Sequence, residues 1–196
     1  MSAGGLRASR LELALPEWMG PFLDSWSEGL DGVEQRMRLA IALADENVAR
    51  RTGGPFGAVV VDEQSGRVLG AGVNLVTRLD VSLAHAEMIA ISLAQVEKGA
   101  WNLGSDGEVQ LVTSCEPCAM CFGAVPWSGV SSLAWGASRE DAEKAGFDEG
   151  DKPDDWAESL LRRGIAVHEG VLRAEAAAVL ERYAHNDGHI YHPNRK

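Results

Sequence analysis

The sequence predicts a single α/β domain built on a mixed five-stranded sheet with helices on both faces, a three-layer αβα arrangement. Three observations carry this expectation. From residue 33 onward, apolar runs of strand length alternate with amphipathic helical stretches. The first two strands are joined by a short turn, which makes them antiparallel, whereas later strands are separated by helices, which makes them parallel. The length of 196 residues suffices for one well-packed core and is short for two.

Residues 1–31 read as an N-terminal arm, extended or partly helical, with Pro16 and Pro21 interrupting any long periodicity. Trp18, Phe22 and Trp26 fall at four-residue steps and form one stripe of a short helix that packs onto the domain. The domain itself spans 32–185. From Val33, the residues Met37, Ala40, Ile41, Ala44 and Val48 recur at helical spacing, and Gly53-Gly54-Pro55 stops that helix. Strands follow at 56–62 and 67–74, joined by the turn Glu63-Gln64-Ser65-Gly66. A loop containing Thr77, Arg78 and Asp80 leads to a helix over 84–98 that Gly99 closes.

The third strand is expected at 108–114, and Pro117 fits the first position of the next helix, where its missing N–H costs nothing. That helix should end early, because Pro126 has no N–H for a bond back to Phe122. A strand at 131–138 then lies parallel to the third through a right-handed crossover. A short helix at 139–145 precedes the loop Gly146-Phe147-Asp148-Glu149-Gly150. Asp154 or Asp155 can cap a helix running to Arg163, 165–172 is the fifth strand, and 173–184 is the final helix. Residues 186–196 form a glycine- and proline-punctuated tail that suits no regular element.

Composition excludes several classes of function. Eighteen basic against twenty-nine acidic side chains give a net charge of −11, so tight binding to a phosphate backbone is not expected. No apolar run reaches signal-peptide or membrane-span length, and three cysteines cannot all pair. A reducing, cytoplasmic location without membrane contact is the resulting expectation.

All three cysteines lie in 113–125, T-S-C-E-P-C-A-M-C-F-G-A-V. Cys115/Cys118 and Cys118/Cys121 share the C-x-x-C spacing, but only the second pair follows a proline. Cys118 and Cys121 then share one face of the first helical turn, where the positive end of the helix dipole favours thiolate. Cys115 falls before the helix and reads as a small buried apolar residue. Upstream stands His85-Ala86-Glu87. One imidazole and two thiolates make three protein ligands for Zn²⁺ and leave a fourth position for water, which marks a catalytic site. A structural site would want a fourth nearby Cys or His, and His168, His185, His189 and His192 are far downstream. Glu87 points away from the His85 face and can flank that water. An isolated H-x-E would read as a helix-capping pair, and the proline-led C-x-x-C one strand later changes that reading.

His-x-Glu followed by Pro-Cys-x-x-Cys is the signature of zinc-dependent nucleobase deaminases. With the element order above, the chain resembles the cytidine-deaminase-like superfamily over most of 33–185. Within it, G-G-P-F-G-A-V at 53–59, H-A-E at 85–87, T-S-C-E-P-C-A-M-C at 113–121 and A-G-F-D-E at 145–149 are similar to the prokaryotic guanine deaminases, the last stretch being the discriminating one. The resemblance implies one zinc per chain on His85, Cys118 and Cys121, with Glu87 shuttling the proton. It also implies Asn74 holding the purine, the Ala86 backbone lining the site, Phe56 and Trp127 packing near the ring, and Glu149 as a second proton donor. The substrate would be a small-molecule purine, guanine, and the product xanthine. Family members pair as homodimers whose C-terminal segments close the partner's site, so Tyr191 and His192 are expected to help form a lid. The same parts would serve cytosine, cytidine, a pterin or an amino-triazine such as ammeline. A tRNA adenosine deaminase is disfavoured by the acidic surface, and a non-catalytic zinc scaffold has no need of Glu87.

Overall fold

The computed structural model describes residues 11–192. Residues 1–10 of the expected arm and 193–196 of the expected tail lie outside the described residues. Five strands form one sheet in the order β2-β1-β3-β4-β5. β1 (Gly57–Asp62) pairs antiparallel with β2 (Val68–Val73) and with β3 (Val109–Cys115). β4 (Ser132–Ala137) runs parallel to β3, and β5 (Ala166–His168) runs parallel to β4. The mixed sheet is therefore as expected, its antiparallel part made by the hairpin and its parallel part by helical crossovers.

Alternation along the strands sorts the core into two layers. Val59, Val61, Val112 and Ala134 pack with Met37, Ala40 and Leu43 of α2 (Val33–Ala49), and α8 (Arg173–His185) lies beside α2 against β4. Ala58, Val60, Leu111 and Leu133 face the other way, onto Ala86, Ala90 and Ala94 of α4 (Ala86–Lys98) and Val125 of α5 (Ala119–Ser128). The small residues of β2 set how close α4 comes. A Cβ at Gly72 would stand 2.2 Å from the Ala86 carbonyl oxygen, so only glycine lets the start of α4 rest on the strand.

The arm holds α1 (Met19–Ser25), with the aromatic stripe in contact: Trp18 and Phe22 at 5.8 Å edge-on, Phe22 and Trp26 at 5.8 Å. Trp18 Nε1 donates to Thr52 Oγ1 at 3.0 Å, pinning the arm beyond the end of α2. The loop at Thr77 and Arg78 contains a single turn, α3 (Val76–Leu79). After β4, α6 (Arg139–Ala145) opens on a capping box between Ser138 and Asp141, a device that contributes ~1 kcal/mol.

Four local expectations are corrected. Pro117 is not the first helical residue; Cys118 is the N-cap of α5 and Ala119 opens the helix. Cys118 is extended at ψ 171°, so helical geometry starts only after it, and the Ala119 N–H that opens the helix donates to the Glu149 carbonyl at 2.9 Å. Pro126 does not end α5, which runs on to Ser128 before Gly129 turns left-handed, so the lost bond to Phe122 falls within the last turn. β5 is three residues rather than eight, because Gly170 at φ +63° turns the chain, after which Val171 makes one more bond to the Trp135 carbonyl. Asp155 precedes α7 (Trp156–Leu161) without capping it, its carboxylate instead taking Arg162 at 2.7 Å. Among the described residues no helix is long and apolar enough to cross a membrane.

Candidate active site

Strand polarity brings the predicted residues to one end of the sheet. Gly57 pairs with Val73 and Ala58 with Thr113, so Phe56 before β1, Asn74 after β2 and the turn after β3 emerge side by side. The loop after α3 returns there to start α4. Both helices that begin here have an N-cap without a side-chain cap: His85 for α4 and Cys118 for α5. Their side chains turn toward each other instead, and both positive helix ends point into the site.

His85 Nδ1 lies 3.6 Å from Cys118 Sγ and 3.5 Å from Cys121 Sγ, and the three donor atoms fall within 4.8 Å of one another. Zinc bonds of ~2.1 Å to nitrogen and ~2.3 Å to sulfur at a tetrahedral angle place nitrogen and sulfur ~3.6 Å apart, so this donor set fits zinc. Nε2 lies 3.0 Å from Tyr191 Oη, and with Nδ1 given to zinc it would carry the ring proton and donate to that oxygen. Asn74 Nδ2 donates to the same oxygen at 3.1 Å. Bonding to Cys121, and further the His85 ring, holds the Cys118 thiol down to about 4 against the opposing effect of burial. Cys115 is at the end of β3, with its Sγ 3.8 Å from the Ser138 carbonyl, and burial pushes its thiol well up. It is not one of the three clustered donors.

A cavity of about 740 Å³ opens over these groups, within the size range of small-molecule sites. Phe56, Asn74, His85, Glu87, Cys118, Glu149 and Tyr191 all line it. Both carboxyls are buried, 6% exposed each. Burial raises Glu87 above the ordinary carboxylate range, with the Cys118 thiolate adding to the rise. Burial raises Glu149 to about 8, helped by the Cys118 and Glu87 charges and opposed by Lys152. Burial also pushes the Tyr191 phenol up. Two buried acids with raised pKa values on one largely apolar cavity are equipped for proton transfer.

Two expected site residues are not placed as the sequence suggested. Trp127 is 79% exposed and does not line the cavity. It stands nine residues after Cys118, about two and a half helical turns, and so on the opposite side of α5. Ala86 is fully buried, with its carbonyl toward Gly72 on β2, and is not among the residues that line the cavity. In turn the sequence reading missed Phe147 and Ile190 as lining residues. Phe147 meets Phe56 edge-on at 4.8 Å and stacks on Tyr183 at 6.0 Å, and its place one residue before the acidic pair was the available signal. His192, which also lines the cavity, bonds Asp148 at 2.6 Å, so the tail and the acidic loop meet.

The model of the cytidine and deoxycytidylate deaminase zinc-binding region matches residues 31–137. The guanine deaminase of Bacillus subtilis (strain 168) is 41% identical over 116 residues, 59% of this chain and 71% of that protein. A crystal structure of the guanine deaminase from Nitrosomonas europaea superposes with a TM-score of 0.85 at 41% identity, over 92% of this chain and 100% of that one. A crystal structure of an NE0047 mutant in complex with 8-azaguanine does so at 0.85 and 41%, over 90% and 98%. A zinc-fitted His-Cys-Cys cluster beside a buried glutamate, on this sheet and in this matched region, has one reading: the chain belongs to the cytidine and deoxycytidylate deaminase zinc-binding family.

Proposed function

We propose that this chain is a zinc-dependent guanine deaminase that converts guanine and water to xanthine and ammonia. The carrying observation is the pair of buried carboxyls, Glu87 and Glu149, lining one cavity with a donor set that fits zinc. The guanine deaminases at 41% identity and the bound 8-azaguanine of the solved relative support the choice of ring.

His85, Cys118 and Cys121 would hold zinc, which when bound would supply the Lewis acidity for activating water near neutral pH. Everything else falls to the chain. Glu87, ionised, accepts a proton from the attacking water and passes it to the ring nitrogen next to C2 as that carbon becomes tetrahedral. Glu149, whose raised pKa keeps it protonated near neutrality, gives its proton to the departing amine; as the C–N bond breaks and ammonia leaves, the C2 hydroxyl becomes the carbonyl and its proton returns to the ionised Glu149. Asn74, 1% exposed, offers its amide to the purine edge, and Phe56 and Phe147 pack the cavity wall. Tyr191 orients His85 through Nε2 and, with His192, lays the tail over its own chain's cavity.

Homodimerisation is part of the same reading. α5 carries no charged residue, and it leaves Trp127 and Gly123 exposed, a surface suited to a second copy. Reduced Cys115, Cys118 and Cys121 suit a cytoplasmic location.

Ammonia release from guanine, cytosine, cytidine, adenosine and ammeline by the zinc-loaded protein tests the assignment. Guanine is expected to be turned over with the highest kcat/KM. A higher value for ammeline or cytosine would move the substrate and leave the chemistry standing, whereas release from none of them would remove the enzyme.

A further inference from the structure

The loop 146–153 brings Glu149 to the cavity without a helix or strand of its own. Besides the Phe147 ring contacts and the bond between Asp148 and His192, two attachments tie it to the turn that carries the cysteines. The first is the bond from Ala119 N–H to the Glu149 carbonyl at 2.9 Å. Gly150 follows at φ +68°, and a Cβ there would stand 3.1 Å from the Ala119 Cβ, so the two segments are in contact. The second attachment is Lys152. Its Nζ is bonded to the Glu116 carboxylate, donates to the Pro117 carbonyl at 2.7 Å and lies 4.5 Å over the Trp156 ring. Glu116 is anchored in turn, accepting the Arg139 N–H at the start of α6 at 3.1 Å and donating its own N–H to the Ala137 carbonyl at 2.8 Å.

The Lys152 side chain is 1% exposed and that of Glu116 12%. Desolvating two charges offsets most of their attraction, so an ion pair this deep gains little stability over apolar residues filling the same space. What the pair does supply is geometry, because the ammonium joins the acidic loop to the cysteine turn, and Glu116 ties that turn to the end of β4 and the start of α6. We infer that Lys152 is a positioning residue that holds Glu149 at the reacting group by clamping its loop to the Glu116-Pro117 turn. This rests on the reading of Glu149 as the second proton donor. Proton transfer is steeply dependent on placement, and a displacement of ~1 Å can cost ~10²-fold in rate.

The test is a double-mutant cycle: kcat and KM for guanine, zinc per chain and Tm for the parent, Lys152→Met, Glu149→Gln and the double variant. Lys152→Met is expected to retain zinc, leave KM unchanged and lower kcat by ~10²-fold. In the Glu149→Gln background it is expected to lower kcat no further, which a merely structural role would not produce. Parental kcat in Lys152→Met, or the same loss in both backgrounds, overturns the inference. Lys152→Gln, which keeps a donor for the Pro117 carbonyl without the charge, is carried through the same cycle with the same two outcomes should the methionine variant not fold. If Glu149→Gln deaminates guanine at the parental rate, the reading of Glu149 fails and this inference with it. If Glu149→Gln is impaired and Lys152→Met is not, this inference alone fails.

Discussion

Glu87→Gln is expected to fold, to keep its zinc and to lose turnover of guanine by ~10²–10⁴-fold, the loss typical of a general acid–base group. Glutamine has nearly the same shape, so the cavity and the cluster beside it are preserved, but it cannot accept the water proton or return one to the ring. The sign of the pH dependence follows from the same carboxyl. Glu87 works ionised, and burial raises its pKa, so activity is lost as pH falls through that raised value rather than through the ~4.3 of an exposed glutamate. Positive charge from bound zinc draws the value back down. Initial rates across pH, with zinc measured per chain, check both points: the acidic limb should be present in the parent and absent from the residual activity of Glu87→Gln. Near-parental kcat in the variant would remove Glu87 from the chemistry.

Cys121→Ala is expected to lose zinc and, with it, all detectable deamination, while Cys115→Ala keeps both. The two residues look alike in the sequence, since each lies three positions from Cys118. In the structure only Cys121 joins the His85 imidazole, at 3.5 Å, whereas Cys115 is drawn into β3 opposite Ala137 with its thiol held protonated by burial. Zinc binding must displace the Cys121 proton, so occupancy at Cys121 depends on pH and its loss on truncation should be complete. Metal content of the two variants checks this, and zinc lost from Cys115→Ala but kept in Cys121→Ala would reverse the ligand assignment.

The parts of this molecule that were legible in the sequence are those where a period or a fixed spacing expresses the physics. β1 to β4 and the helices α2, α4, α6 and α8 announce themselves because each buries one face or both, and His85, Cys118 and Cys121 do so because ligand spacing on helix starts is short-range. Effects that depend on the backbone conformation of a single residue were not legible. The displacement of Pro117 from the helix follows from the extended backbone at Cys118, and the truncation of β5 from the left-handed turn at Gly170. Trp127 was expected near the ring from the resemblance alone, and the helix that continues through Pro126 carries it to the far side of α5. Tyr191 is brought to His85 across 106 residues by a tail with no periodicity, and Lys152 sits in a polar loop whose composition looks solvated although its side chain is buried. Long-range tertiary placement of this kind leaves no local pattern to read.

The central claim is that water, activated beside Glu87, replaces the amine at C2 of guanine. It is tested most directly by single-turnover reaction of the zinc-loaded protein with guanine in heavy-oxygen water, followed by mass analysis of the product. The expected product is xanthine carrying one solvent-derived oxygen at C2, with one ammonia released for each xanthine formed. Guanine recovered unchanged, or xanthine without the heavy oxygen, would contradict it.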